Sequence, residues 1–302
     1  MKMVVIMNII KITPQGFCNG VINAIKKVNN VVNDPKTPRP IYLLGMLIHN
    51  KFVCDELEEK GVIILKDKPL DELINLVSSG TIIVSAHGVC NSIKEKIINK
   101  GLNLVDATCP IVNNVHLKIF KHLDLGYDIL YIGKDGHPET IGVLNESNNI
   151  TLIDSIDKIK TLDKNKKYYV TNQTTLSNDY INKYHNLINE YLPNATLENN
   201  ICNATTKREM ALYNLESDLI VVVGDPKSSN SKKLVEVAKN KSLAKDVIFI
   251  ESAKDLINFD FSNYHTIHIT SGASTPSEIT DQVIRFIENK DLNILDEKLT
   301  FI

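Results

Sequence analysis

The spacing of three cysteines constrains this chain more than any other feature of its sequence. Cys18 precedes Cys109 by 91 residues, and Cys109 precedes Cys202 by 93. Each opens a stretch whose apolar residues recur mostly three or four positions apart. These are Val21, Ile22, Ile25 and Val28 after Cys18, Val112, Val115 and Ile119 after Cys109, and Ala211 and Leu215 after Cys202. Such a period marks a helix with one face packed on a sheet. Pro110 fits the first turn of the second helix, where its missing N–H costs nothing.

The repetition continues beyond each helix. A short apolar strand runs to a glycine at 41–45, 129–133 and 219–224, then opens into a polar loop: His49-Asn50, Gly136-His137-Pro138-Glu139 and Ser228-Ser229-Asn230. A second strand follows at 62–65, 151–153 and 247–250. A third ends in another polar turn: Ser85-Ala86-His87-Gly88, Asn172-Gln173-Thr174-Thr175 and Ser271-Gly272-Ala273-Ser274. Helical stretches fall between strands, as at 51–60 and 232–239. From cysteine to first loop, counted to His49, His137 and Ser228, the distances are 31, 28 and 26 residues; to the second turn, counted to His87, Thr174 and Ser274, they are 69, 65 and 72.

Repeats this long are small α/β modules rather than solenoid units. The spacing divides the chain into modules at 1–107, 108–200 and 201–302. Alternating strands and helices predict mostly parallel sheets, whose ligands sit beyond the carboxyl ends of the strands. Every polar turn named above falls at such an end. Three modules facing one axis would deliver three cysteines and six turns to one central cavity.

Composition narrows the class. Of the 302 residues, 43% are hydrophobic and 23% charged, as in ordinary globular chains, which excludes disordered and fibrous proteins. A net charge of −2 gives no reason to expect nucleic acid as the partner. Apolar runs such as 219–223 are too short to span a bilayer, and residues 1–10 lack the design of a secretory leader. Five cysteines, at 18, 54, 90, 109 and 202, form no close pairs and no C-x-x-C. That pattern argues against a disulfide framework and for a reducing, cytoplasmic compartment.

Three thiolates are one short of the four that usually hold a cubane cluster, which leaves one iron open to another ligand. A helix start favours the thiolate form. Taken singly, each cysteine reads better as a small buried hydrophobe; the shared register favours ligation by Cys18, Cys109 and Cys202. Cys54 and Cys90 lack that register and read as core. Ser228, Ser229, Asn230 and Ser274 offer donors to an anion, one group at the start of a helix, and His49, His87 and His137 add imidazoles. Helix capping competes as a role for the serines and Asn230. Glu139 is the acid in these turns placed to give a proton, kept protonated by burial, with the Thr174 hydroxyl as relay. His116, His122, His185, His265 and His268 read as packing or surface residues.

Together these segments resemble the LytB/IspH family. The resemblance is carried by Gly16-Phe17-Cys18-Asn19-Gly20-Val21, His49-Asn50, Ser85-Ala86-His87-Gly88-Val89, Asp106-Ala107-Thr108-Cys109-Pro110, Gly136-His137-Pro138-Glu139, Gln173-Thr174-Thr175-Leu176-Ser177, Ile201-Cys202-Asn203-Ala204-Thr205-Thr206, Ser228-Ser229-Asn230-Ser231 and Gly272-Ala273-Ser274, in order. It implies a trefoil of three α/β modules around a [4Fe–4S] cluster with three cysteine ligands and one open iron. It further implies reductive dehydroxylation of 4-hydroxy-3-methylbut-2-enyl diphosphate to isopentenyl and dimethylallyl diphosphate, the last step of the non-mevalonate isoprenoid route. A ferredoxin- or flavodoxin-type donor is the implied partner, with Glu139 as proton donor and Thr174 as relay. Two departures are local: Cys90 stands where the family often has Ser, and Asp225-Pro226-Lys227 varies before the Ser-Ser-Asn turn. Two rival readings are a quinolinate-synthase-like dehydratase and a non-catalytic protein with zinc on the three cysteines.

Overall fold

The computed structural model describes residues 7–302; the first six positions, part of the stretch read above as lacking a leader, lie outside it. In chain order the elements are β1 (Asn8–Lys11), α1 (Asn19–Asn33), β2 (Ile41–Leu44), α2 (Lys51–Glu59), β3 (Val62–Leu65), α3 (Leu70–Asn75), β4 (Thr81–Val84), α4 (Asn91–Asn99) and β5 (Asn103–Asp106). There follow α5 (Pro110–Asp124), β6 (Asp128–Ile132), α6 (Pro138–Leu144), β7 (Ile150–Ile153), α7 (Ile156–Ile159), β8 (Tyr168–Asn172), α8 (Asn178–Tyr191) and β9 (Thr196–Leu197). The last are α9 (Asn203–Met210), β10 (Glu216–Val223), α10 (Ser229–Lys241), β11 (Leu243–Ile250), β12 (Thr266–Ser271) and α11 (Ser277–Asn289).

Among the described residues the strands form three four-stranded sheets, ordered β3-β2-β4-β5, β7-β6-β8-β9 and β11-β10-β12-β1. Every neighbouring pair is parallel. The three orders are the same once the strands are matched, so the fold is α/β and built from three similar modules. Parallel strands buried on both faces read as continuous apolar runs, and β4 and β8 are buried at every position. Alternate residues of β10 serve opposite cores. Leu219, Val221 and Val223 pack with Ile279, Val283 and Phe286 of α11, while Ile220 and Val222 pack with Leu234 and Val237 of α10.

Two compact units are present. One comprises residues 7–19, His49–Glu56 and Asn203–Ile302; the other comprises Gly20–Ile48 and Leu57–Cys202. The first holds the sheet of β1, β10, β11 and β12, and the second holds the other two sheets. In the first unit the segment His49–Glu56 is tied to the C-terminal tail. The N–H of Phe301 donates to Glu56 Oε2 at 2.7 Å, and the Phe301 ring lies 6.4 Å from that of Phe52.

The structure departs from the sequence reading in two places. Each sheet has a fourth strand, and in the third it comes from the other end of the chain. Asn8–Lys11, placed above with residues 1–107, pairs with Thr266–Ser271 of β12. That pairing covers an edge of β12 that would otherwise present unpaired backbone groups. The helix after Cys202 is also short, ending at Met210. Ala211 and Leu215, read as its apolar face, lie beyond it; its buried residues are Thr205, Arg208 and Glu209.

Candidate active site

One residue beside each sheet links a cysteine to the segment that follows β2, β6 or β10. This connector is the residue two positions past β4, β8 or β12: Ala86, Thr174 or Ala273. The connector carbonyl accepts the N–H of Cys109 at 3.0 Å, of Cys202 at 2.9 Å and of Cys18 at 3.1 Å, respectively. The connector N–H donates to Leu47 O at 3.0 Å, to Glu139 Oε1 at 2.8 Å and to Asn230 Oδ1 at 2.8 Å, in the same order. The three cysteines are therefore equivalent in their bonding as well as in their spacing.

Cys109 occupies the N-cap position of α5 without a side-chain capping bond, and Cys18 and Cys202 immediately precede α1 and α9. None of the three is in a disulfide and all are half-buried, whereas Cys54 and Cys90 are buried. Half-burial at a helix start suits a thiolate that must reach a ligand, and the donor set fits an iron–sulfur cluster. Among the described residues, no three His, Cys, Asp or Glu side chains gather as ligands of a single metal ion.

In the second unit the structure brings together His87, His137, Glu139 and Thr174. His137 caps α6, its Nδ1 accepting the N–H of Glu139 at 3.2 Å. That bond leaves Nε2 as the donor of a neutral ring. The His87 ring stands edge-on to it, with centroids 5.8 Å apart. Glu139 is 1% exposed. Its Oε1 accepts the Thr174 N–H at 2.8 Å and its Oε2 lies 3.0 Å from Thr174 Oγ1. Burial raises the Glu139 pKa; the Thr174 bonds, a Tyr131 bond and the charge of His116 oppose that rise without cancelling it. Thr174 thus touches the carboxyl with its side chain and Cys202 with its carbonyl.

In the first unit three loops carrying His49, Ser228-Ser229-Asn230 and Ser274 meet. Ser274 Oγ donates to His49 O at 3.0 Å, and Asn230 receives the N–H of Ala273, the neighbour of Ser274. Ser228 caps α10, accepting the Ser231 N–H at 3.2 Å. The capping role weighed for Ser228 is therefore realised. Asn230 does not cap its helix; its Nδ2 donates to Thr205 Oγ1 at 3.3 Å. Burial lowers the His49 pKa, with Asp225 opposing and Lys227 and Lys232 reinforcing the shift. Burial thus disfavours the charged form of this imidazole.

Several contributors escaped the sequence reading. Tyr131 reads as a core strand residue, yet its hydroxyl donates to Glu139 Oε1 at 3.2 Å. Buried Arg208 donates to the carbonyl of Gly16 at 2.7 Å, bracing the loop that carries Cys18. His116, read as packing or surface, is buried with Nδ1 2.8 Å from Glu146 Oε1. Nothing local in the sequence marks these three, because each partner lies in another element.

A family model described as LytB protein matches residues 9–288. The chain belongs to the LytB family. A LytB relative from Geobacillus thermodenitrificans, named 4-hydroxy-3-methylbut-2-enyl diphosphate reductase, is 40% identical over 291 residues, which is 95% of this chain and 92% of the relative. The solved structure of E-1-hydroxy-2-methyl-but-2-enyl-4-diphosphate reductase from Plasmodium falciparum superposes with a TM-score of 0.84 at 33% identity, covering 96% of this chain and 90% of that one. A second solved structure, of (E)-4-hydroxy-3-methyl-but-2-enyl diphosphate reductase, the terminal enzyme of the non-mevalonate pathway, gives a TM-score of 0.68 at 28% identity over 94% and 99% of the two chains. Among the described residues no helix is long and apolar enough to cross a membrane.

Proposed function

We propose that this chain is a 4-hydroxy-3-methylbut-2-enyl diphosphate reductase acting at the end of the non-mevalonate route, in the cytoplasm, with electrons from a ferredoxin- or flavodoxin-type donor. The observation that carries the reading is the buried Glu139 carboxyl, whose partner Thr174 also holds Cys202. A buried acid whose pKa is raised by burial, linked through Thr174 to a cysteine, suits reductive loss of a hydroxyl better than zinc or anion storage does. The reaction replaces a C–OH bond by C–H, consuming two electrons and two protons and releasing water. Hydroxide is a poor leaving group, so one proton must reach its oxygen as the bond breaks.

Cys18, Cys109 and Cys202 would hold a [4Fe–4S] cluster. When bound, that cluster supplies electrons and an iron with an open coordination position. Glu139 holds the proton, and Thr174 Oγ1, 3.0 Å from Oε2, passes it on. The diphosphate is assigned to donors from His49, His87, His137, Ser228, Ser229, Asn230 and Ser274. Its charge would raise the imidazole pKa values, adding charge-assisted bonds.

Anaerobic purification with iron and sulfide analysis, followed by turnover of the hydroxylated diphosphate with an artificial donor, tests this reading. Cys18→Ser, Cys109→Ser and Cys202→Ser should each abolish the cluster absorbance and turnover; Cys54→Ser and Cys90→Ser should keep both. A wild-type protein that binds zinc, or that carries a cluster yet leaves this substrate untouched, would overturn it.

A further inference from the structure

Tyr131 is fully buried on the face of its sheet that packs with Val115, Ile119, Val143 and Tyr169. A hydroxyl in such surroundings costs free energy unless it is hydrogen-bonded, and this one donates to Glu139 Oε1 at 3.2 Å. The ring is closely fitted. A Cβ on Gly133 would lie 2.9 Å from Tyr131 Cε1 and 2.8 Å from Thr140 Oγ1, so the glycine keeps that space open. Oε1 of Glu139 thus receives two donors, the Tyr131 O–H and the Thr174 N–H. Oε2 faces Thr174 Oγ1.

The two oxygens are not alike. A backbone N–H cannot reverse its role, so Oε1 is fixed as an acceptor. A hydroxyl can reverse, so a proton on Oε2 can be donated to Thr174 Oγ1. We propose that Tyr131 is a positioning residue for proton delivery. With the Thr174 N–H it holds Oε1 as the acceptor oxygen, places the acid proton on Oε2 against the Thr174 hydroxyl, and stabilises the carboxylate left when that proton departs. This inference rests on the reading of Glu139 as proton donor.

The surroundings agree. The phenol cannot compete for the role of acid, because burial and the neighbouring Glu139 push its own pKa well above the usual range. Besides Tyr131 and Thr174, the titratable groups at Glu139 are His137, whose Nδ1 accepts the Glu139 N–H, and His116, whose charge favours the carboxylate and which is itself paired with Glu146. None of these takes the place of the phenol at Oε1. A donor to the carboxylate favours the charged form, so removing it makes Glu139 a weaker acid.

Tyr131→Phe keeps the ring and its packing and removes one oxygen. In the anaerobically purified protein without substrate, the carboxylic C=O stretch of Glu139 can be followed by infrared spectroscopy and assigned by its absence in Glu139→Gln. Its titration should move to higher pH in Tyr131→Phe. Under turnover, the limb of the pH–rate profile that falls with rising pH should move the same way. kcat should drop about tenfold with KM unchanged, the scale of one lost bond to a charged group. An unmoved infrared titration would overturn the inference. A moved titration alongside normal turnover in Glu139→Gln would instead overturn the proton-donor reading, leaving Tyr131 bonded to a carboxyl that gives no proton.

Discussion

Glu139 and Asn230 occupy the same place in two different sheets, and they do different work there. Each stands seven residues past the last residue of β6 or β10, Ile132 or Val223, and second in the helix that follows. Each accepts the connector N–H, of Thr174 or Ala273, at 2.8 Å. Beyond that bond they diverge. Glu139 gathers Tyr131 and Thr174 Oγ1 around a carboxyl whose pKa is raised by burial. Asn230 spends its amide on Thr205 and has no proton to give. In the remaining sheet the matching residue, Lys51, is exposed and paired with Asp55, and a backbone carbonyl of Leu47 receives the connector N–H. The repeat thus needs an acceptor at this point but not a particular side chain. That freedom lets one module carry an acid while another carries a neutral donor.

The largest break in this comparison should come from Glu139→Gln. Gln keeps an acceptor for the Thr174 N–H, and its amide can donate to Thr174 Oγ1, so fold and cluster content should persist. Turnover should fall about 10²–10⁴-fold, the usual scale for a lost general acid. Next is Asn230→Asp, which keeps the acceptor for Ala273 but adds an anion among the groups assigned to a diphosphate. Repulsion between like charges costs several kcal/mol, so affinity for inorganic diphosphate should fall about a hundredfold or more in an equilibrium titration. Asn230→Ala should lose less, about 1–3 kcal/mol. Smallest is Thr174→Val. The backbone bond to Oε1 survives, and a water can replace the hydroxyl, so kcat should fall about tenfold or less; a loss as large as that of Glu139→Gln would make the hydroxyl indispensable.

Much of this was legible in the sequence, for physical reasons that also mark where legibility ended. The cysteine register and the glycine-ended strands follow from local period and spacing, and the strands lie where those signals put them. The fourth strands were not readable. Thr196–Leu197 has two residues, too few for a period; Asn103–Asp106 and Asn8–Lys11 each hold only two apolar residues between polar ends, and the latter finds its partner across nearly the whole chain. The end of α9 was missed because its buried face is polar, with Thr205, Arg208 and Glu209 where apolar residues would be expected. In the site, Glu139 and Thr174 stood out because both fall in polar turns at strand ends. Tyr131 did not, since a tyrosine in an apolar strand looks like any other core residue until its hydroxyl is seen against the carboxyl.

The most direct test of this division of labour is one anaerobic experiment on wild type, Glu139→Gln and Asn230→Ala, measuring substrate affinity and turnover at saturating substrate side by side. Glu139→Gln should lose turnover with affinity nearly intact, and Asn230→Ala should lose affinity with saturated turnover nearly intact. If both variants lost the same quantity, or if Glu139→Gln turned over normally, the two positions would not differ as claimed, and Glu139 would be only another acceptor for a connector N–H.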